Sequence, residues 1–473
     1  LTQRLAKKTV FVRALLNELC MNPKVTVYIT NYNYGHYLDQ AIQSVLKQTF
    51  QDFEVLIIDD GSMDDSLEVM KRYESRENVF TILQKNKGLS VSNNIALKMA
   101  RGAFLMRLDA DDYLDPRALE IMVSTLEKDP DLGLVFPDYY EVDHEGEIMQ
   151  QVRRHDFAND VKILDQPAHG ACTMIRTRVL VEVGGYDESF NKQDGYDLWF
   201  KVIDDYKVGN INLPLFYYRK HGNSLSSDDR KLLKVRAAIK KKRVKEEGIK
   251  PISVLAIVPT RGSKMDPRSF PLEKLIDKFL IDWTLDSALK SSLLTDILVT
   301  TPDKDVIRHV SDKYAGEVIT IERLAKLARI NTGFEQTIIE ALESYEENHS
   351  QLDAVMVLNI TAPFKSNIYI EKAIHTFQLH GVDAVRSVII DDGYFYEHDG
   401  SGLRPRNRNN STLRLERTNL YREAGGIMLI RRSVINTETF HDKSIGHIIV
   451  DQKAAFHIKT VFDFKIAEVL SES

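Results

Sequence analysis

Apolar residues in the first half of the chain come in short β-branched runs, separated by stretches of helical period. Residues 25–30 read VTVYIT, 53–58 read FEVLII, 79–83 read VFTIL and 104–108 read FLMRL. Each run has the length of a buried strand and ends in polar or glycine-bearing turn residues. Between them, Leu38, Ile42, Val45 and Leu46 fall on one side of a helix predicted over 38–48. Shorter helices are predicted through 67–70 and 90–100. Strands alternating with helices predict right-handed βαβ units and a mostly parallel sheet. The pattern restarts at Ile252, with a strand over 253–258, a helix over 272–289, a strand over 296–300, a helix from Asp305, a helix over 334–344 and a strand over 354–358. The fold class expected is therefore α/β, with two Rossmann-like domains at 21–227 and 251–473.

Two segments fall outside that alternation. Residues 228–250 carry Lys231, Lys234, Arg236 and a Lys240–Lys245 cluster among Leu232, Leu233, Val235, Ala237 and Ala238. They read as a basic linker helix stopped by Gly248 and Pro251, solvated, or alternatively a patch for a membrane surface. Residues 1–20 are basic, with Leu5, Val12, Leu15, Leu16 and Leu19 on a rough face. Arg13 interrupts the apolar run expected of a signal peptide, so the segment reads as an extension ahead of a domain that starts near Met21.

Composition narrows the setting. A net charge of −6 over 473 residues gives no global pull toward nucleic acid. Two cysteines, Cys20 and Cys172, are too few for a disulfide framework, so a reducing cytoplasm is the expected compartment. No apolar run approaches the ~20 residues that span a bilayer.

Candidate chemistry collects at the strand ends. The run 104–108 stops in Asp109, Ala110, Asp111 and Asp112. Asp109 and Asp111 are two apart, on one face of an extended strand, and suit Mg²⁺ or Mn²⁺. Helix-capping acids in a polar loop, with Asp115-Pro116 opening the helix, are the other reading. In a parallel sheet the other strand ends join this one: Thr30-Asn31-Tyr32, Asp59-Asp60-Gly61-Ser62 and Asn86-Lys87-Gly88. An aromatic face at Tyr32, an acceptor at Asp60, a glycine at Gly88 and an acid pair with a metal suit a nucleotide diphosphate.

These words, together with SVLKQTFQDFEVLIIDDGSMDDS, NKGLSVSNN, LDADDYLDP, GGYDESF, QDGYDLW and YRKHGNSLS, resemble an inverting family-2 glycosyltransferase of the GT-A fold. The resemblance implies that Thr30, Tyr32 and Asp60 hold the nucleotide-sugar donor with Gly88, Asp109 and Asp112. It implies that Asp111, supported by Asp109, contacts the metal, and that His221 in the closing loop contacts metal or diphosphate. Asp194 becomes the base that deprotonates the acceptor hydroxyl. Asp197 reads as a brace for its helix and Trp199 as core. This sequence departs from the family at Asn93, where an arginine is usual, and at Gln193, where a glutamate is usual.

The second half resembles the cytidylyltransferases that activate sialic acid, through AIVPTRGSK, FLIDWTLDSALKS, ILVTTPDKD, VLNITAPFKS and FHIKTVFDFKIAEVL. Its chemistry is altered. The family's loop has one more glycine, its Lys-Asn pair falls on Ser269 and Phe270, its glutamine is Asn359, its arginine is Lys365 and its asparagine is Ala424. The two metal-binding aspartates fall on His457 and Lys459. The resemblance thus implies a domain without synthetase activity, with an anion site left at Arg261, Ser263 and Lys264. The expected partners are a nucleotide-sugar donor, a glycan or lipid-linked glycan acceptor and a second copy of the chain bound through this domain, with no nucleic acid. Contact with the inner face of the cytoplasmic membrane is the expected membrane link.

Overall fold

The computed structural model describes residues 22–153, 170–190, 193–221, 229–262, 266, 269–324, 334–391, 393, 395–405, 420–435, 440 and 443–472. The extension expected over 1–20 lies outside them. The chain divides into two compact units, one built mainly of residues 1–161 and 166–227, the other mainly of 228–403 and 419–473.

The first unit is built on one mixed sheet. Its strands are β1 Val25–Asn31, β2 Phe53–Asp59, β3 Val79–Leu83, β4 Phe104–Asp109, β5 Tyr113–Leu114, β6 Leu132–Val142, β7 Ile148–Val152, β8 Met174–Arg176 and β9 Lys207–Arg219. Their order is β3-β2-β1-β4-β8-β6-β9-β5, with β7 beside β6. β1 pairs in parallel with both β2 and β4, and β2 with β3. The unbroken apolar runs follow from burial on both faces. Val25, Val27 and Ile29 of β1 enter one core with Val55, Ile57, Met106 and Leu108. Tyr28 enters the other with Leu56, Ile58 and Leu105.

The two ends of this sheet differ. At the start of the strands, the buried Glu54 carboxylate accepts from Thr26 Oγ1 at 2.6 Å and from Arg101 N and Nε at 2.9 and 2.6 Å. Gly102 packs there so closely that a Cβ would lie 2.4 Å from Thr26 N. Glu54 is thus matched by Arg101, and Lys24 by Glu127 at 2.5 Å, so these charges serve the fold. The opposite end gathers Asn31, Asp59, Asp60 and Asp109, with Thr30 directly beside Asp109.

In the second unit the sheet order is Ile319–Glu322, Asp296–Thr301, Val254–Pro259, Ala354–Leu358, Leu420–Arg431, Ala384–Asp391, Ile445–Ile449. The first four are parallel, and Leu420–Arg431 runs against both of its neighbours. Two sequence expectations change here. The helix predicted over 272–289 covers only Leu280–Leu289, because Lys274–Leu275 and Lys278–Phe279 pair as a small hairpin. Ile276 turns that hairpin with a φ of +62°. Leu272, Leu275, Ile276 and Phe279 mimic helical spacing, but Leu275 is buried and Ile276 is half exposed.

The basic segment is a helix, Asp229–Glu246, but not a solvated linker. It packs on helix Asn367–His380 through Leu233, Ala237 and Lys240, one stripe at helical spacing. The Lys240 ammonium is buried and donates to Thr376 Oγ1 at 2.7 Å.

A second buried lysine braces the end of Ala354–Leu358. Lys365 Nζ donates to Thr284 Oγ1, Asn359 O and Ala362 O at 2.9, 2.8 and 2.6 Å. Burial pushes its pKa down to about 7. Three acceptors, however, call for all three N–H bonds of the ammonium, which favours the charged form. Lys365→Met keeps the stem and strands those acceptors. The expected outcome is a loss of about 2–3 kcal/mol, read as a lower urea midpoint in the transition of the second unit.

Candidate active site

The strand ends of the first unit form the site, and Asp60 sets its floor. Asp60 Oδ1 accepts from Gln84 Nε2 at 2.7 Å and Lys87 N at 2.8 Å, and Oδ2 accepts from Gly88 N at 2.8 Å. The carboxylate is buried and holds the whole loop after β3. A carboxylate has about four acceptor positions, so one remains for a ligand. Gly88 takes a φ of +89°, which a side chain would oppose. Asp59 serves its own turn, accepting from Asn31 Nδ2 and from the Ser62 amide and hydroxyl. Tyr32, just after β1, is half exposed.

Arg107, buried in β4, joins Asp109 to Asp194. Its Nε lies 3.1 Å from Asp109 Oδ1, and its Nη1 forms an ion pair with Asp194 Oδ2. Burial works against the guanidinium charge, but Asp109 and Asp194 outweigh it and raise the Arg107 pKa. Gly170 gives the fork room: a Cβ there would lie 2.5 Å from Nη2. Asn93 donates to Asp194 Oδ2 at 2.9 Å and accepts from Tyr28 Oη at 3.2 Å. The arginine absent at position 93 is thus matched by a guanidinium arriving from β4. Asp194 opens helix Asp194–Ile203 directly after Gln193, whose φ is +63°. Asp197 braces that helix through Lys201, 2.8 Å away, and Trp199 lies in the core against Phe136.

A second arginine, Arg219 at the end of β9, fixes the closing segment. Its backbone N–H donates to Asp112 Oδ1 at 2.9 Å, and its Nε to Asp111 O at 2.9 Å. Its other nitrogens reach Asp143 O, His144 O and Gln40 Oε1. His221 follows, with Nε2 2.9 Å from Asp111 Oδ2 and its ring against Tyr34 and Tyr37. Thr30 Oγ1 donates to Asp109 Oδ1 at 2.9 Å. Thr30, Asp109, Asp111, Asp112 and His221 therefore share one wall, and Arg107 carries it to Asp194. Burial, then Asp111, Asp109 and Asp112, push the Tyr34 hydroxyl well above the ordinary phenol range.

Among the described residues, no three His, Cys, Asp or Glu side chains form a ready metal cage. The donor set still fits a hard cation that takes one or two carboxylates and completes its shell from a ligand. Asp112 Oδ2 is buried without a hydrogen-bond partner among the described residues. Burial raises the Asp112 pKa well above its ordinary value, with Asp111 and Asp109 adding to it. Burial thus favours the protonated carboxyl, whose proton a cation at this wall would have to displace.

The corresponding end of the second unit is organised differently. Arg261 pairs with Asp266 at 3.3 Å, while Ser263 and Lys264 lie outside the described residues. Arg323, which sequence reasoning did not single out, is buried beside it and donates to Thr260 O at 2.6 Å. Burial, then Arg261, pull its pKa down to about 10. His457 is tied on both nitrogens, to Thr361 Oγ1 at 3.0 Å and to Ala424 O.

Residues 26–184, a third of the chain, match the family model described as Glycosyl transferase family 2. Chondroitin synthase of Escherichia coli is 31% identical over 205 residues, 43% of this chain and 30% of that protein. Hyaluronan synthase of Pasteurella multocida is 30% identical over 206 residues, 43% of this chain and 21% of that protein. The chain thus spans less than a third of the length of either relative. The solved structure of S. aureus TarS 1-349 in complex with UDP-GlcNAc is 20% identical, with a TM-score of 0.38, over 46% of this chain and 66% of that one. Residues 26–184 of the first unit are thus similar to glycosyltransferase family 2 domains.

Two outcomes follow from the acid wall. Asp109 is raised by burial, pulled back by Arg107 and raised again by Asp111. A raised pKa lets protons compete with a cation above the ordinary aspartate value of about 4. Mn²⁺ affinity, read from the free-ion EPR signal, should climb with pH and still be climbing above the ordinary aspartate value. Arg107→Met leaves the buried Asp194 and the partly buried Asp109 without their shared cation. It should cost about 3–5 kcal/mol in urea unfolding, whereas a conservative change at exposed Lys85 should cost nothing measurable.

Proposed function

We propose that the chain is a metal-dependent inverting glycosyltransferase that moves a sugar from a nucleotide-diphosphate donor to a glycan acceptor. The observation that carries this reading is the continuous run of Thr30, Asp109, Arg107 and Asp194 along one sheet end, beside the Asp60-held loop. The donor's base and ribose lie over that loop, with Tyr32 as the stacking face. Asp111 and Asp109, with His221 alongside, would hold Mn²⁺ or Mg²⁺, whose charge would offset that of the leaving diphosphate. Asp194 takes the proton from the acceptor hydroxyl as that oxygen attacks the anomeric carbon. Arg107 and Asn93 hold the carboxylate in place, Arg107 keeping its other contact with Asp109. Arg219 carries the closing segment onto Asp111 and Asp112, which places His221 at the same wall.

Relatives named for chondroitin and hyaluronan synthesis support a place in bacterial surface polysaccharide or glycan assembly. UDP-sugars are the first donors to try. Among the described residues no helix is long and apolar enough to cross a membrane. We place the enzyme in the cytoplasm, at the inner membrane face if its acceptor is lipid-linked. The second unit is read as a cytidylyltransferase-like domain without synthetase activity. His457, locked between Thr361 and Ala424, and the cationic Lys459 replace the acids that would hold a metal there. Pairing of two chains through this unit belongs to the same reading.

A donor screen with Mn²⁺ and UDP-, GDP- and CMP-sugars tests it. The expected result is release of UDP or GDP, stimulated by acceptor glycans and reduced about 10²-fold or more in Asp194→Asn and Asp111→Asn. CMP release coupled to CTP consumption would show a bifunctional synthetase and transferase instead. Wild type indistinguishable from Asp111→Asn on every donor would leave a scaffold.

A further inference from the structure

The second unit holds a cavity of about 200 Å³ that none of the above uses. It opens between the first turns of helix Asp229–Glu246, the start of helix Asn367–His380 and the turn after Ile445–Ile449. Arg230 and Lys234 line it from one helix, four residues apart and so on one face. Lys453 meets them from the turn. None of the three has a carboxylate within ion-pair distance among the described residues.

The acid of the cavity is already committed. Asp451 accepts from Tyr369 Oη at 2.6 Å and from Ala454 N at 2.9 Å. Three cations against one carboxylate leave the lining at +2, in a chain whose net charge is −6. Burial, then the Arg230 charge, lower the Lys453 pKa, as expected of crowded like charges. Phe364 walls one side, with Lys453 Nζ 5.3 Å from its ring centroid, and Tyr369 walls another. Helix Asn367–His380 begins at Ser366 on the rim, and the positive end of its dipole adds to the same field.

Like charges are not gathered into a concave site without cost unless an anion joins them. The combination of a planar guanidinium fork with two ammonium groups matches the several oxygens of a phosphate. The volume falls below the roughly 300–1,000 Å³ of pockets that take whole drug-sized ligands. It suits a charged head group and leaves the rest of its bearer outside, along the aromatic walls. We propose that this cavity binds a phosphate or diphosphate group, without a metal ion, at a place separate from the acid wall of the first unit.

The experiment is a calorimetric titration of the full chain with pyrophosphate, in EDTA and at constant ionic strength, so that the acid wall cannot contribute through a cation. Saturable binding is expected, weakened about tenfold or more in Arg230→Gln/Lys453→Gln and less in Lys234→Gln. It should be unchanged in Lys245→Gln, an exposed change further along the same helix. Unshifted thermal midpoints without ligand would show that the variants are folded. Flotation with phosphatidylcholine vesicles, with and without phosphatidic acid, separates the sources. Retention that needs phosphatidic acid and fails in the double variant assigns a lipid head group; pyrophosphate binding without such retention assigns a soluble phosphate. An absence of saturable pyrophosphate binding, or equal affinity in the double variant, would overturn the proposal. None of these readouts depends on sugar transfer.

Discussion

A single buried guanidinium holds the first unit's chemistry together. Arg107 stands between Asp109 on the acid wall and Asp194 at the head of its helix. Two carboxylates brought this close would repel; one cation between them offsets that repulsion and ties the acid wall to the head of the helix. The geometry also accounts for Asn93. An amide there can donate to Asp194 without adding charge, because the charge arrives from the neighbouring strand. Gly170 belongs to the same arrangement, since any larger residue would occupy the space of the fork.

The two units share a plan of parallel strands with polar strand ends, and differ in what those ends carry. The first ends in carboxylates, several of them buried. The second gathers buried Arg323 and Lys365 and a doubly bonded His457, with Asp266 and Asp303 buried at the same end. The difference lies in side chains, not in topology, which is why the alternation of strands and helices alone says little about activity.

Much of this was legible in the sequence, for identifiable reasons. Strands buried on both faces leave unbroken apolar runs, so β1, β2 and β4 stood out, and the acids at their ends fell where a parallel sheet gathers them. What was not legible depended on contacts between distant residues. Asp60 reads as a ligand acceptor until the loop after β3 is seen to use most of its lone pairs. Arg107 left one trace, a charge inside FLMRL, but its two partners lie 2 and 87 residues away. The helix expected over 272–289 failed because Ile276 adopts a left-handed turn that spacing does not reveal. The basic segment was taken for solvated because its lysines outnumber the narrow stripe of Leu233, Ala237 and Lys240.

The grip of Asp60 on the loop after β3 has a consequence for the entropy of recognition. Ordering a backbone residue costs about 1–2 kcal/mol. Here Lys87 and Gly88 are held by the protein's own carboxylate, so that loss is incurred when the chain folds. On the proposed reading, a donor would meet a surface already in its binding shape. Its affinity need not cover the ordering of the loop, and the loop's contribution to discrimination among donors comes from a rigid outline.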